Sequence, residues 1–139
     1  MSGRSPHRQQ EGQILVMALF VMAFLFVPLA VYVIDSGLVE ASYVQFGETL
    51  QAAAEDGASS ADVAALRQSG GQVVQLDPDQ ARLVVDRSLR SSQLPGLESW
   101  TVDVRGNSVA VTARMHVRLL VLGTATLTQT KEATFAVGT

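Results

Sequence analysis

Residues 12–40 read GQILVMALFVMAFLFVPLAVYVIDSGLVE. From Ile14 to Ile34 there are 21 residues with no charge and no polar side chain except Tyr32. Wound as a helix the run is roughly 31 Å long, the thickness of a bilayer's hydrocarbon core, so it reads as a membrane-spanning helix. Pro28 is tolerable at that depth, where it bends a helix rather than breaking it. Arg4, His7 and Arg8 precede the run and no basic residue follows until Arg67, which keeps the N-terminus in the cytoplasm and exports the rest. The alternative is a signal peptide cut at Val39 to Ala41, "VEA", releasing a small secreted binding domain. The apolar run is too long for that, and Asp35 and Glu40 stand before the cut.

Helical periodicity continues past the span. Val39, Tyr43, Phe46, Leu50, Ala53/Ala54, Gly57 and Ala61 recur every three or four residues as a narrow apolar stripe. Tyr43, Phe46, Leu50 and Gly57 are the expected packing positions of this stem. Glu40, Glu48, Glu55 and Asp62 fall on another face, which reads either as a solvated surface or as an acidic docking stripe. Asp35 projects onto the apolar side where the helix leaves the bilayer, and an ionisable group there needs a partner or a route to water. "LQAAAEDGASSADVAAL", Leu50 to Leu66, is rich in small residues that admit close backbone approach by another element.

Composition limits the remainder. The chain has 139 residues and no cysteine, which excludes disulfides and thiolate metal sites. About a hundred residues remain outside the leader and span, enough for a modest core that leans on a partner surface. The formal charge of −3 divides unevenly: residues 1–12 carry +1, while everything after Ile34 has eight basic and twelve acidic residues. An acidic exported part argues against a nucleic-acid partner.

Two elements of that part are written clearly. "DPDQARLVVDRSLRSSQLPG" opens with Asp77 as N-cap and Pro78 at the first helical position, closes at Pro95-Gly96, and offers Ala81, Val84, Val85 and Leu89 for burial. A short strand over Val73 to Leu76 is expected before it, after a break at Gly70-Gly71. "WTVDVRGNSVAVTARMHVRL" sets Gly106-Asn107 between two alternating runs, a hairpin that pairs Val104 with Val109, Val102 with Val111 and Trp100 with Ala113. Val109, Val111, Ala113, Met115, Val117 and Leu119 then point inward, and Thr112, Arg114, His116 and Arg118 outward. "LLVLG" turns the chain at Gly123 into a third strand with Leu127, Lys131, Phe135 and Val137 on one side. The apolar stripe of the long helix is the expected cover for this sheet.

The residues that would mark an enzyme are missing. His7 and His116 are the only histidines and are expected on opposite sides of a membrane, so neither a paired metal site nor a His-activated nucleophile is available. Neither glycine-loop nor nucleophile-elbow patterns occur. The reading is a non-enzyme without a cofactor or metal.

An apolar helix preceded by "EGQ" and followed by "VIDSGLVEASYVQFGETLQAAAEDGASSA" resembles the TadE/TadG-like family of Flp (tight adherence) pilus proteins. Gly12, Asp35, Gly37 and Ala52 to Ala61 stand where that family has a glycine opening the hydrophobic segment, an Asp-containing motif closing it and an Ala-rich stretch. "VAVTARMHVRLLVLGTATLTQTKEATFAVG" is similar to its closing strands. The resemblance implies a minor pilin or pseudopilin handled by the Sec system and the tight-adherence machinery, with Gly12 and Gln13 flanking a processing site. Prepilins of this kind carry Glu at the fifth place after that Gly. Met17 stands there, as TadG-like members also often lack this Glu, which points to an uncleaved or differently processed relative.

The expected architecture is α+β and pilin-like. Residues 1–12 form a short cytoplasmic leader, 13–34 a transmembrane helix, 35–66 an amphipathic stem helix, and 67–139 an exported head with a second helix and a three-stranded antiparallel sheet. The expected partners are membrane lipid, other pilins or pseudopilins as a homo- or hetero-oligomer, and the assembly machinery. Asp35, Glu40, Glu48, Glu55 and Asp62 are the candidate acidic contacts, and Arg114 and Arg118 their basic complements on a neighbour. A subunit of another secretion or competence pseudopilus would share this architecture.

Overall fold

The computed structural model describes residues 7–60, 67, 70 and 76–135, with side chains from Gly12 onward. The chain is α+β: α1 (His7–Ser59), α2 (Pro78–Ser91), β1 (Leu97–Arg105), β2 (Ser108–Arg118) and β3 (Thr124–Thr134), with the strands in the antiparallel order β1-β2-β3. At 53 residues α1 is roughly 80 Å long, and Pro28 lies inside it. It has two different halves. Every residue from Gly12 to Ala30 is exposed, whereas Phe46, Leu50, Ala53, Ala54 and Ala58 are buried.

The described helix ends at Ser59. The Ser60 N–H donates to the Gly57 carbonyl (3.2 Å), and the Ser59 and Ser60 hydroxyls donate to the carbonyls of Asp56 (2.8 Å) and Gly57 (2.6 Å). The expected continuation over Ala61 to Leu66, Asp62 included, lies outside the described residues, as do 71–75 of the short strand expected before α2. Leu76, the described end of that strand, is buried coil whose N–H donates to the Gly106 carbonyl at 3.3 Å.

α2 starts as its sequence demands. Asp77 accepts from the N–H groups of Asp79 (2.9 Å) and Gln80 (3.4 Å), with Pro78 following, and Ala81, Val85 and Leu89 are buried. It stops at Ser91, ahead of the expected Pro95-Gly96 boundary. The Ser91 and Ser92 hydroxyls donate to the carbonyls of Ser88 (2.9 Å) and Leu89 (2.7 Å), and Gln93 turns to φ 49. These serines offer the last turn acceptable local partners before the proline is reached.

The hairpin register is the expected one, with Val104 opposite Val109, Val102 opposite Val111 and Trp100 opposite Ala113. Val109, Val111, Ala113, Met115, Val117 and Ala133 form the sheet's buried face. α1 and α2 cover it, so the stripe of the long helix is the sheet's cover, as expected. Gly57 sets the three-way approach. A Cβ there would lie 2.6 Å from Val85 Cγ2 of α2 and 3.3 Å from Val109 Cγ1 of β2.

Tyr43 departs from the expected stripe: its side chain is exposed. At this level α1 presents backbone to β3. Gln129, buried on the sheet's inner face, donates through Nε2 to the Tyr43 carbonyl at 2.9 Å, and a Cβ on Gly47 would meet Gln129 Oε1 at 2.8 Å. With the amide seated between helix and strand, the tyrosine ring is left on the flank. Val137 of the expected third strand lies outside the described residues.

Candidate functional site

The exposed half of α1 is the first candidate surface. Among the described residues one helix, near the N-terminus, is long and apolar enough to cross a membrane, and no residue of its most apolar window is buried. Phe20, Phe24 and Leu25 are each more than three-fifths exposed. Gly12 is also exposed and a Cβ there would meet nothing within 4 Å, so the chain around Gly12 and Gln13 is open.

Asp35 marks the lower limit of the head. It is 2% exposed, one residue beyond the apolar run. Its carboxylate accepts from the Leu120 N–H (Oδ1, 2.8 Å) and the Val121 N–H (Oδ2, 3.4 Å), in the loop between β2 and β3. The carboxylate expected to meet a neighbour's arginine or snorkel to water is therefore taken up inside the chain. Consecutive backbone N–H groups curled about an anion form a nest, which suits a carboxylate that has no ion pair among the described residues. The Leu119 N–H donates to the Gly123 carbonyl at 2.8 Å, and Gly123 adopts φ 89, closing the loop on itself.

The other acidic candidates behave differently. Glu40, Glu48 and Glu55 are exposed on flanks of α1 beside the face that covers the sheet. Gln51 donates to Glu55 at 2.9 Å along the helix, and Glu48 and Glu55 line a shallow groove shared with Lys131 of β3. Arg114 and Arg118 project from the opposite face of the sheet, both exposed. Neither is in an ion pair among the described residues. Between them His116 Nε2 lies 2.9 Å from Glu98 and its Nδ1 3.0 Å from the Thr126 hydroxyl. The head thus carries exposed carboxylates along α1 and exposed guanidinium groups on the outer face of the sheet, with no ion pair between the two sets among the described residues.

No family model, curated protein or solved structure matches this chain. An open groove of about 520 Å³ runs between Ser42 and Gln45 of α1, Leu94 to Gly96, and the end of β2, with His116 and Arg118 at its edge. Among the described residues no cluster of three metal-ligating side chains occurs.

Sequence reasoning missed two features. Gln129 was hidden because a glutamine in an alternating strand carries no sign that the helix opposite lacks a side chain. The tip residues Leu120, Val121 and Leu122, all about two-thirds exposed, had a visible signal. Four successive aliphatic residues break the strand's alternation where a turn ordinarily carries polar residues.

Proposed function

We propose that the protein is a membrane-anchored, pilin-like structural subunit, a minor pilin or pseudopilin of a tight-adherence type pilus or its assembly complex. The observation that carries this reading is the divided helix: one continuous rod whose apolar half is bare and whose other half is the central support of a small α+β head. A chain that needed only an anchor would have no reason to continue the same helix through its head. A subunit that packs laterally through its helix does.

The charge placement supports an assembly role. Glu40, Glu48 and Glu55 along α1 and Arg114 and Arg118 on the outer face of the sheet are exposed and of opposite sign, so a contact between copies that set one against the other would repeat head to tail. Exposed pairs contribute only about 0.2–1 kcal/mol each, so they would set register while the apolar helices supply most of the association. In this reading the N-terminus is cytoplasmic and the head lies outside the cytoplasmic membrane. The test is the intact mass of the protein from native membranes and from sheared surface fibres. Full-length or Gly12-processed protein in fibres is expected. A soluble species beginning near Ser42, with none in membrane or fibre, would refute the proposal.

A further inference from the structure

The loop from Leu120 to Leu122 is unexplained by the head's own packing. Its side chains are 66%, 68% and 67% exposed, three consecutive aliphatic residues presented to water by a loop in which the N–H groups of Leu119, Leu120 and Val121 all have acceptors. We infer that this tip is a second membrane-inserted element, seated in the outer leaflet beside α1 and held there by Asp35. The inference rests on the anchored reading of α1.

Position comes first. Val109 lies against Gly57, and Leu120 bonds to Asp35. From Gly57 back to Asp35 the helix spans about 33 Å, and from Val109 to Leu120 the chain covers about 36 Å. β2 therefore descends α1 almost along its axis, and the β2–β3 loop is the end of the head nearest the apolar run. The Gly106-Asn107 turn is the opposite end. Residue 35 directly follows the run that ends at Ile34, so the tip adjoins the level where hydrocarbon gives way to headgroups.

Chemistry agrees with position. Backbone can enter a poorly hydrated layer only if its N–H groups have partners. Here those of Leu119, Leu120 and Val121 all do, two of them through the Asp35 carboxylate, itself shielded from lipid by that contact. The apolar surface is continuous, because Ile34 and Leu38 are also partly exposed on α1. Leu122 lines the adjoining groove with Val39 and Tyr43. Arg118, exposed two residues before the tip, sits at the height of lipid phosphates, and Tyr32 occupies the aromatic position expected at an interface. Two attachments along one edge would fix the head's tilt and rotation, which a single helix leaves free.

The chain has no cysteine, so single labelling sites can be introduced directly. Val121→Cys, Asn107→Cys and Val21→Cys would each be labelled with an environment-sensitive fluorophore. Each full-length chain would be placed in phosphatidylethanolamine and phosphatidylglycerol vesicles and challenged with aqueous iodide or with nitroxide lipids. The expected result is that the label at 121 is quenched by a shallow nitroxide and protected from iodide, as the label at 21 is by a deep one, while that at 107 remains open to iodide. Asp35→Ala should return the label at 121 toward the iodide accessibility of 107 without moving that at 21. If 121 matches 107 while 21 stays embedded, the loop inference fails and the anchor stands. If 21 is open to iodide, both fail. Protection at 121 without lipid quenching, lost on dilution into excess lipid, would assign the tip to a second copy of the chain and overturn the inference.

Discussion

Gly57→Ala tests whether the small-residue stretch of the long helix serves the head itself. The added methyl would lie 2.6 Å from Val85 Cγ2, and 3.5 Å from the Ala81 carbonyl oxygen. Carbon atoms in contact sit about 3.5–4.0 Å apart, so Val85 must retreat by roughly 1 Å. It has little freedom to do so, being fully buried, β-branched and on a helix, where one rotamer dominates. α2 must move instead. Overpacking of this kind costs about 1–3 kcal/mol, against roughly 1 kcal/mol gained from alanine's better helix propensity. The single variant is therefore expected to be destabilised by about 0–2 kcal/mol, too broad a range to decide anything alone. The double-mutant cycle with Val85→Ala is decisive, since it removes the clashing methyls. Gly57→Ala should become neutral or stabilising in that background, a coupling of about 1–3 kcal/mol. Urea unfolding in detergent, followed by Trp100 fluorescence, reads this directly, because the only tryptophan bonds to Asp86 of α2. Additivity within about 0.5 kcal/mol would refute the close approach of α1, α2 and β2 at this point.

Three further outcomes are expected. Gly96→Ala should destabilise the head by at least about 2 kcal/mol in the same assay, because Gly96 has φ 83 and its Cβ would collide with the His116 carbonyl, a backbone group that cannot step aside. Asp86→Ala removes the acceptor of both the Trp100 indole N–H (2.7 Å) and Arg90 Nε (3.1 Å), for a loss of about 1–3 kcal/mol and a shift in Trp100 emission. Reversing Arg114 and Arg118 to Glu should leave unfolding within about 0.5 kcal/mol of the parent, both being exposed surface positions. In the native host that double reversal should lower recovery of the protein in sheared fibres, and Glu48→Arg with Glu55→Arg should raise it again. Unchanged fibre recovery in the double reversal would remove the charge contact from the assembly proposal.

The parts of the fold that were legible are those whose signals are local. The hairpin register follows from Gly106-Asn107 and the alternation on either side, since a slip by one residue would turn Val109 and Val111 to water. Asp77-Pro78 writes the start of α2 within four residues. The stripe through Phe46, Leu50 and Gly57 is also periodic, and its role as the sheet's cover follows because three strands cannot bury their apolar face alone. What stayed hidden depends on distance along the chain. Asp35 is read correctly as a charge in need of a partner, yet that partner lies 85 residues away and is backbone, which leaves no complementary side chain to find in the sequence. Tyr43 has the right phase for burial and loses its place to Gln129.

The contact at Asp35 also bears on whether the helix is retained. A chain cut near Ala41 would keep Phe46, Leu50, Ala53, Ala54 and Ala58, and with them the hydrophobic core of the head. It would lose Asp35. The N–H groups of Leu120 and Val121 would then have only water as acceptor, and three aliphatic side chains would stand exposed at the end of a soluble domain. Exposed apolar clusters of this sort favour association. Each feature that makes no sense in a released head, the anionic group following the apolar run, the amides folded round it and the aliphatic tip, has a use in a head that stays against a membrane. In the proposed subunit a flexible linker would let the head turn, whereas a continuous helix bonded through Asp35 to the β2–β3 loop would hold it in one orientation.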